Sequence, residues 1–162
     1  MDNRIFITLG SQKFQFNRLL QMIDRLLDEG KIKETVFAQI GNSDYEPKNY
    51  KYASFLDKNE FEEQIRNCDV LITHSGVATI IAGLKNDKKV IVVPRLSKYG
   101  EHVDDHQVQI AQSFSEQNYV MMYEENDELD LLIRKVKTHE FAKYTSQRQK
   151  MVKTIRDYLD NI

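Results

Sequence analysis

"CDVLITHSGVATIIAGLKNDKKVIVVP", residues 68–94, is the stretch that decides the fold. Residues 70–73 and 90–93 are apolar or β-branched without alternation, the pattern of strands covered on both faces. Between them, residues 76–85 read as a helix. Two such strands joined through a helix run parallel, because an antiparallel pair needs no crossover of that length.

The same alternation extends outward in both directions. Residues 4–9 form a short apolar, β-branched run. After Gly10 comes a helix with Phe16, Leu19, Leu20, Ile23, Leu26 and Leu27 on one face and Gly30 as its stop. A second strand, residues 35–40, ends at Gly41, and a loop leads to a short strand at 52–55. Asp57 and Glu60 resemble a capping box at the start of a helix that buries Phe61, Ile65 and Cys68. On the far side, residues 105–117 predict a helix, 119–122 a strand, 128–137 a helix and 141–159 a last helix carrying Tyr144, Met151, Ile155 and Tyr158. The expected fold is one Rossmann-like, doubly wound α/β domain with a mainly parallel sheet and C-terminal helices.

Composition agrees and narrows the function. With 162 residues, 41% of them hydrophobic and 30% charged, the chain can bury one core. A net charge of -2 gives no general attraction to nucleic acid or anionic lipid. The single cysteine, Cys68, lies on a predicted helix face, which argues for a small buried residue in a reducing, cytoplasmic setting. The opening "MDNRIFITLG" has no signal-peptide pattern, and no apolar run reaches the ~20 residues of a membrane span. Any work at a membrane is therefore expected to go through a partner.

In doubly wound sheets ligands bind beyond the carboxyl ends of the strands. Three loops there carry polar chemistry. Gly10, Ser11 and Gln12 follow the first strand, and His74, Ser75 and Gly76 open the central helix. The long loop after Pro94 presents Arg95, Lys98, Glu101, His102, Asp104, Asp105 and His106. Free first-turn amides and a hydroxyl suit a phosphate or diphosphate. Neither the dinucleotide glycine pattern nor the Gly-Lys-Ser/Thr phosphate loop occurs. Plainer readings stand beside these: His74 as a histidine satisfied by backbone, Asp104 or Asp105 as a helix cap, Arg95 and Lys98 as solvated charges. Adjacent carboxylates point apart, and there is no second ligand cluster, so no metal is expected.

"THSGVATI", followed by "VPRLSKYGEHVDDHQVQIA", resembles the C-terminal, donor-binding half of family 28 glycosyltransferases. The resemblance is to the stand-alone form: the small subunits of two-part transferases in dolichol-linked oligosaccharide, exopolysaccharide and capsule synthesis. It implies one half of a GT-B enzyme that takes a UDP-sugar. Residue by residue it places Gly10, Ser11 and Gln12 near the donor diphosphate and Leu56 near the uracil. Ser75, Gly76 and Thr79 fall at the phosphate-facing helix start, where His74 replaces a basic residue. Gln107 falls at a glutamine that contacts sugar hydroxyls, beside Asp104, Asp105 and His106. Ala78 stands where many relatives have glycine. Ala82 stands where several have a glutamate for the ribose hydroxyls, and Glu101 is the alternative for that role.

The resemblance further implies an inverting displacement without a metal or other cofactor, with charge on the departing UDP stabilised by amides and a protonated His74. His102 and His106 are candidate bases, and Arg95 is a candidate donor ligand. A membrane-attached acceptor subunit would present a lipid-linked saccharide and hold this chain at the cytoplasmic face. The rim loops and the 141–159 helix are candidate docking elements. Two readings from other classes stay open: a non-catalytic nucleotide-sugar-binding subunit that activates a separate transferase, and an unrelated flavodoxin-like or regulatory domain that does not bind UDP.

Overall fold

The computed structural model describes residues 3–145. Within them, six strands form one sheet: β1 (Arg4–Thr8), β2 (Thr35–Gln39), β3 (Lys51–Ala53), β4 (Val70–Thr73), β5 (Lys89–Val92) and β6 (Met121–Met122). Their order is β3-β2-β1-β4-β5-β6, and every pairing is parallel. Five helices connect or follow them: α1 (Asn17–Asp28), α2 (Lys58–Asn67), α3 (Val77–Lys85), α4 (His106–Glu116) and α5 (Leu129–Thr138). This is the doubly wound arrangement expected from the sequence.

The continuous apolar runs serve both faces by simple alternation. Ile5, Ile7 and Leu9 pack in the core shared with α1 and α5, whereas Phe6 packs in the core shared with α2, α3 and α4. Val70 and Ile72 likewise oppose Leu71, and Ile91 and Val93 oppose Val90 and Val92. Such strands cannot alternate polar and apolar residues because neither face meets water. Cys68 is buried, its thiol donating to the Ile65 carbonyl at 3.3 Å, and burial pushes its pKa up to about 11. That thiol is inert at neutral pH. Asp57 caps α2 by accepting the Glu60 amide at 2.8 Å, as its spacing predicts.

The last expected helix needs correction at its start. Residues 141–145 are not helical. Asn118, at positive φ in the turn after α4, donates its side-chain amide to the Glu140 carbonyl at 3.0 Å and lies 2.7 Å from His139. Its own carbonyl accepts the Ala142 amide at 2.8 Å. These tertiary bonds hold the segment out of helical geometry, and Tyr144 then packs edge-on against Tyr119. Residues 146–159 of that expectation lie outside the described residues. Among the described residues no helix is long and apolar enough to cross a membrane.

Candidate functional site

Strand order reverses between β1 and β4, so the crevice of the sheet opens where these two strands end. Gly10 leaves β1 at φ +73°, a left-handed turn that costs glycine little. His74 leaves β4 and is only 5% exposed. Its imidazole lies against both Gly10 and Gly76: a Cβ on Gly10 would stand 2.5 Å from His74 Nε2, and one on Gly76 2.7 Å away. The ring fits because two strand-end loops have no side chain there.

Gln107, in the first turn of α4 and 4% exposed, fixes the other side of the ring. Its Oε1 accepts the backbone amides of Ser75 at 3.2 Å and Arg95 at 3.0 Å. Its Nε2 therefore faces His74 Nδ1, at 3.2 Å, as the donor. Nδ1 accepts, and the ring proton sits on Nε2. Burial, with the Arg95 charge nearby, lowers the His74 pKa to about 3. The expected imidazolium is thus corrected to a neutral imidazole, because a charged ring would be stranded out of water beside a guanidinium.

Above this ring, α3 begins without a side-chain cap. Ile80 makes the first backbone bond back to Gly76, at 3.0 Å, which leaves the amides of Val77, Ala78 and Thr79 for a ligand. Ala78 is exposed and Thr79 half-buried on that turn. Ser11 and Gln12 are exposed beside Gly10, and the Gln12 carbonyl accepts Asn42 Nδ2 at 2.7 Å. Gly41 at the end of β2 donates to the Ser54 carbonyl at 2.8 Å, which brings in the β3–α2 loop. In that loop Leu56 is half-buried against the α2–α4 side of the core.

Four residues expected at the ligand are instead internal. Ser75 is 2% exposed, and its hydroxyl donates to the Gln107 carbonyl at 2.7 Å. Gln107 faces inward, as described above. Arg95 is 1% exposed: Nη1 donates to the carbonyls of Phe14, Gln15 and Glu101, and Nη2 to that of Leu9. Its charge ties the loops after β1 and β5 together and stands 5.1 Å over the Phe16 ring. Burial pulls its pKa down to about 10 against the pull of Glu101. Glu101 is fully buried, its carboxylate occupied by Arg18 at 2.9 and 3.0 Å and by the Leu96 amide at 2.9 Å. Fully buried and paired with Arg18, it is not presented to the crevice for the role of the glutamate missing at Ala82.

The rest of the β5–α4 loop is organised around carboxylates. Asp104 Oδ1 lies 3.1 Å from His102 Nδ1 and Oδ2 lies 3.2 Å from His106 Nδ1, so it orients both rings. Asp105 does not cap α4; it accepts the Ser97 amide at 2.8 Å and holds the short 3₁₀ turn Ser97–Tyr99. Lys98 and Tyr99 bond Glu125 at the rim. Sequence reasoning missed Arg18, which sits on α1 between buried apolar residues, and Ser43, whose hydroxyl accepts the Phe16 amide at the start of that helix. Their partners lie 83 and 27 residues away, so no local signal marks them.

The model of the glycosyltransferase family 28 C-terminal domain matches residues 4–162. The chain belongs to this family. A Candida albicans protein named UDP-N-acetylglucosamine transferase subunit ALG13 is 35% identical over 82 residues, 51% of this chain and 25% of that protein. The matched stretch thus spans about a quarter of that relative's length. An ALG13 solution structure superposes with TM-score 0.60 at 19% identity, over 96% of this chain and 98% of that one. The glycotransferase of kitacinnamycin superposes at 0.64 and 16% identity over 99% of this chain and 39% of that one. Acinetobacter baumannii MurG does so at 0.57 and 16%, over 97% and 51%. The family 28 domain here therefore has the fold of one Rossmann-like half of a GT-B glycosyltransferase.

Proposed function

We propose that this family 28 domain is the donor-binding subunit of a two-component inverting glycosyltransferase that moves a hexose from a UDP-sugar to a lipid-linked saccharide in exopolysaccharide or capsule synthesis. One observation carries the reading. At the switch point of the sheet, a buried imidazole N–H and the uncapped first turn of α3 meet beside the Gly10 turn. Both are donors, and neither brings a negative charge to repel a diphosphate. The name of the Candida relative supports a uridine nucleotide.

In the displacement, an acceptor hydroxyl attacks the anomeric carbon as its bond to UDP breaks, and the configuration inverts. Negative charge grows on the leaving diphosphate. The α3 amides and the neutral His74 N–H are preorganised to meet it. The acceptor proton goes to a base at the rim, for which Asp104 orients His102 and His106. The acceptor wall is supplied by a membrane-attached partner, which holds this chain at the cytoplasmic face. Calorimetric titration with UDP, UDP-hexoses and ADP tests the reading: uridine nucleotides bind and ADP does not. Equal binding of ADP, or no binding of UDP, would overturn it.

A further inference from the structure

We infer that Gln107 is a positioning residue, which fixes His74 as an Nε2–H donor to the diphosphate and does not itself recognise the sugar. The inference rests on the donor-binding reading above and departs from what resemblance implies for this glutamine. Three contacts carry it. Two backbone amides, from the loops after β4 and β5, converge on Oε1, which settles which end of the carboxamide is which. The remaining end must donate to His74 Nδ1. The Ser75 hydroxyl closes the arrangement on the Gln107 backbone carbonyl at 2.7 Å.

The consequence reaches the ligand through the ring. With Nδ1 accepting, the one imidazole proton is on Nε2, the atom that lies against Gly10 and Gly76. His74 as a residue is 5% exposed, yet Nε2 is not among the fully buried polar atoms left without a partner, so it keeps an opening toward the crevice. An N–H donor held in that position can meet a ligand oxygen. The opposite tautomer would turn a bare lone pair toward an anion. One Nε2 proton of Gln107 stays unassigned, so direct contact with the sugar is the rival that the experiment must separate.

The first readout needs no ligand. A long-range ¹H–¹⁵N spectrum of the full chain near neutral pH is expected to show His74 protonated on Nε2 and bare on Nδ1. A proton on Nδ1, or on both nitrogens, would overturn the inference. In the second, UDP and UDP-hexoses are titrated into the wild-type chain and Gln107→Ala. Both affinities are expected to fall by the same factor, roughly tenfold, since the variant loses the donor orientation and not a sugar contact. A loss confined to the UDP-hexose sinks the proposal. Independently of the variant's folding, the wild-type Gln107 side-chain NH₂ signal should move alike with UDP and UDP-hexose, and a sugar-specific shift would count against the inference. If UDP fails to bind the wild-type chain, the donor reading falls, while the tautomer spectrum still decides how Gln107 sets the ring.

Discussion

At the scale of single residues, His74 and its glycines set the properties of the crevice. The His74 pKa is lowered to about 3 from an ordinary value of 6.5. Between those values the unfolded chain binds a proton here that the folded chain does not. Stability from this site is therefore complete above about pH 6.5 and falls as pH drops toward 3, by at most ~1.4 kcal/mol per unit. Urea unfolding at pH 6.5 and pH 4.5 should show a smaller acid loss for His74→Gln than for wild type, the carboxylates being common to both. An equal loss would mean that the ring takes up a proton in the folded chain. Gly10 and Gly30 form a controlled pair: both have φ near +70°, yet a Cβ on Gly30 meets nothing within 4 Å, whereas one on Gly10 meets the His74 ring. Gly30→Ala should cost ~1 kcal/mol for the left-handed backbone alone. Gly10→Ala should cost more and weaken UDP binding by roughly tenfold or more, since the added methyl displaces the imidazole donor. Urea midpoints and calorimetry of the two variants check this.

At the scale of elements, the starts of α2 and α3 differ in kind. α2 has a side-chain cap from Asp57, with Glu60 in its first turn. Asp57→Ala should lower stability by about 1 kcal/mol and leave UDP binding unchanged, as read by urea unfolding and calorimetry. α3 has Gly76 at its cap and no side-chain bond to its first turn. A sequence can show this contrast, because an acidic residue before a helix and a glycine before another are local features. What local features cannot show is whether an open helix start faces a site or solvent. Here β4 ends at the switch point, so α3 opens into the crevice.

At the scale of the whole molecule, the one sheet among the described residues has its switch point between β1 and β4. Arg95 and the Glu101–Arg18 pair bind the β1–α1 and β5–α4 loops into one wall of the crevice there. If the chain takes part in a displacement between two bulky substrates, that reaction needs a second wall; the fold described here matches 39% and 51% of two solved GT-B glycosyltransferase chains. On the donor-subunit proposal, the purified chain binds UDP-hexose without transferring it, and transfer to a lipid-linked saccharide begins when the membrane partner is added. Transfer by the chain alone would place both substrate sites on this single domain. Phe55, Tyr99 and Val103 are exposed on strand-end loops on the same side as the crevice, and on that proposal they are apolar surface for the partner.

The amino-acid sequence by itself determined the alternation of strands and helices, the parallel sheet and the loops that meet at its carboxyl end. Those follow from short unbroken apolar runs, from the helical period of 3.6 and from glycines and caps, all of which act between near neighbours in the chain. Tertiary structure alone decided which polar residues face the crevice. Arg95, Glu101 and Gln107 look like surface chemistry in a linear reading, yet each is buried with partners as far as 86 residues away. It also decided the charge of His74, because a pKa depends on how much water and which charges surround the ring, and the ring's surroundings come from β1, α3, β5 and α4 together.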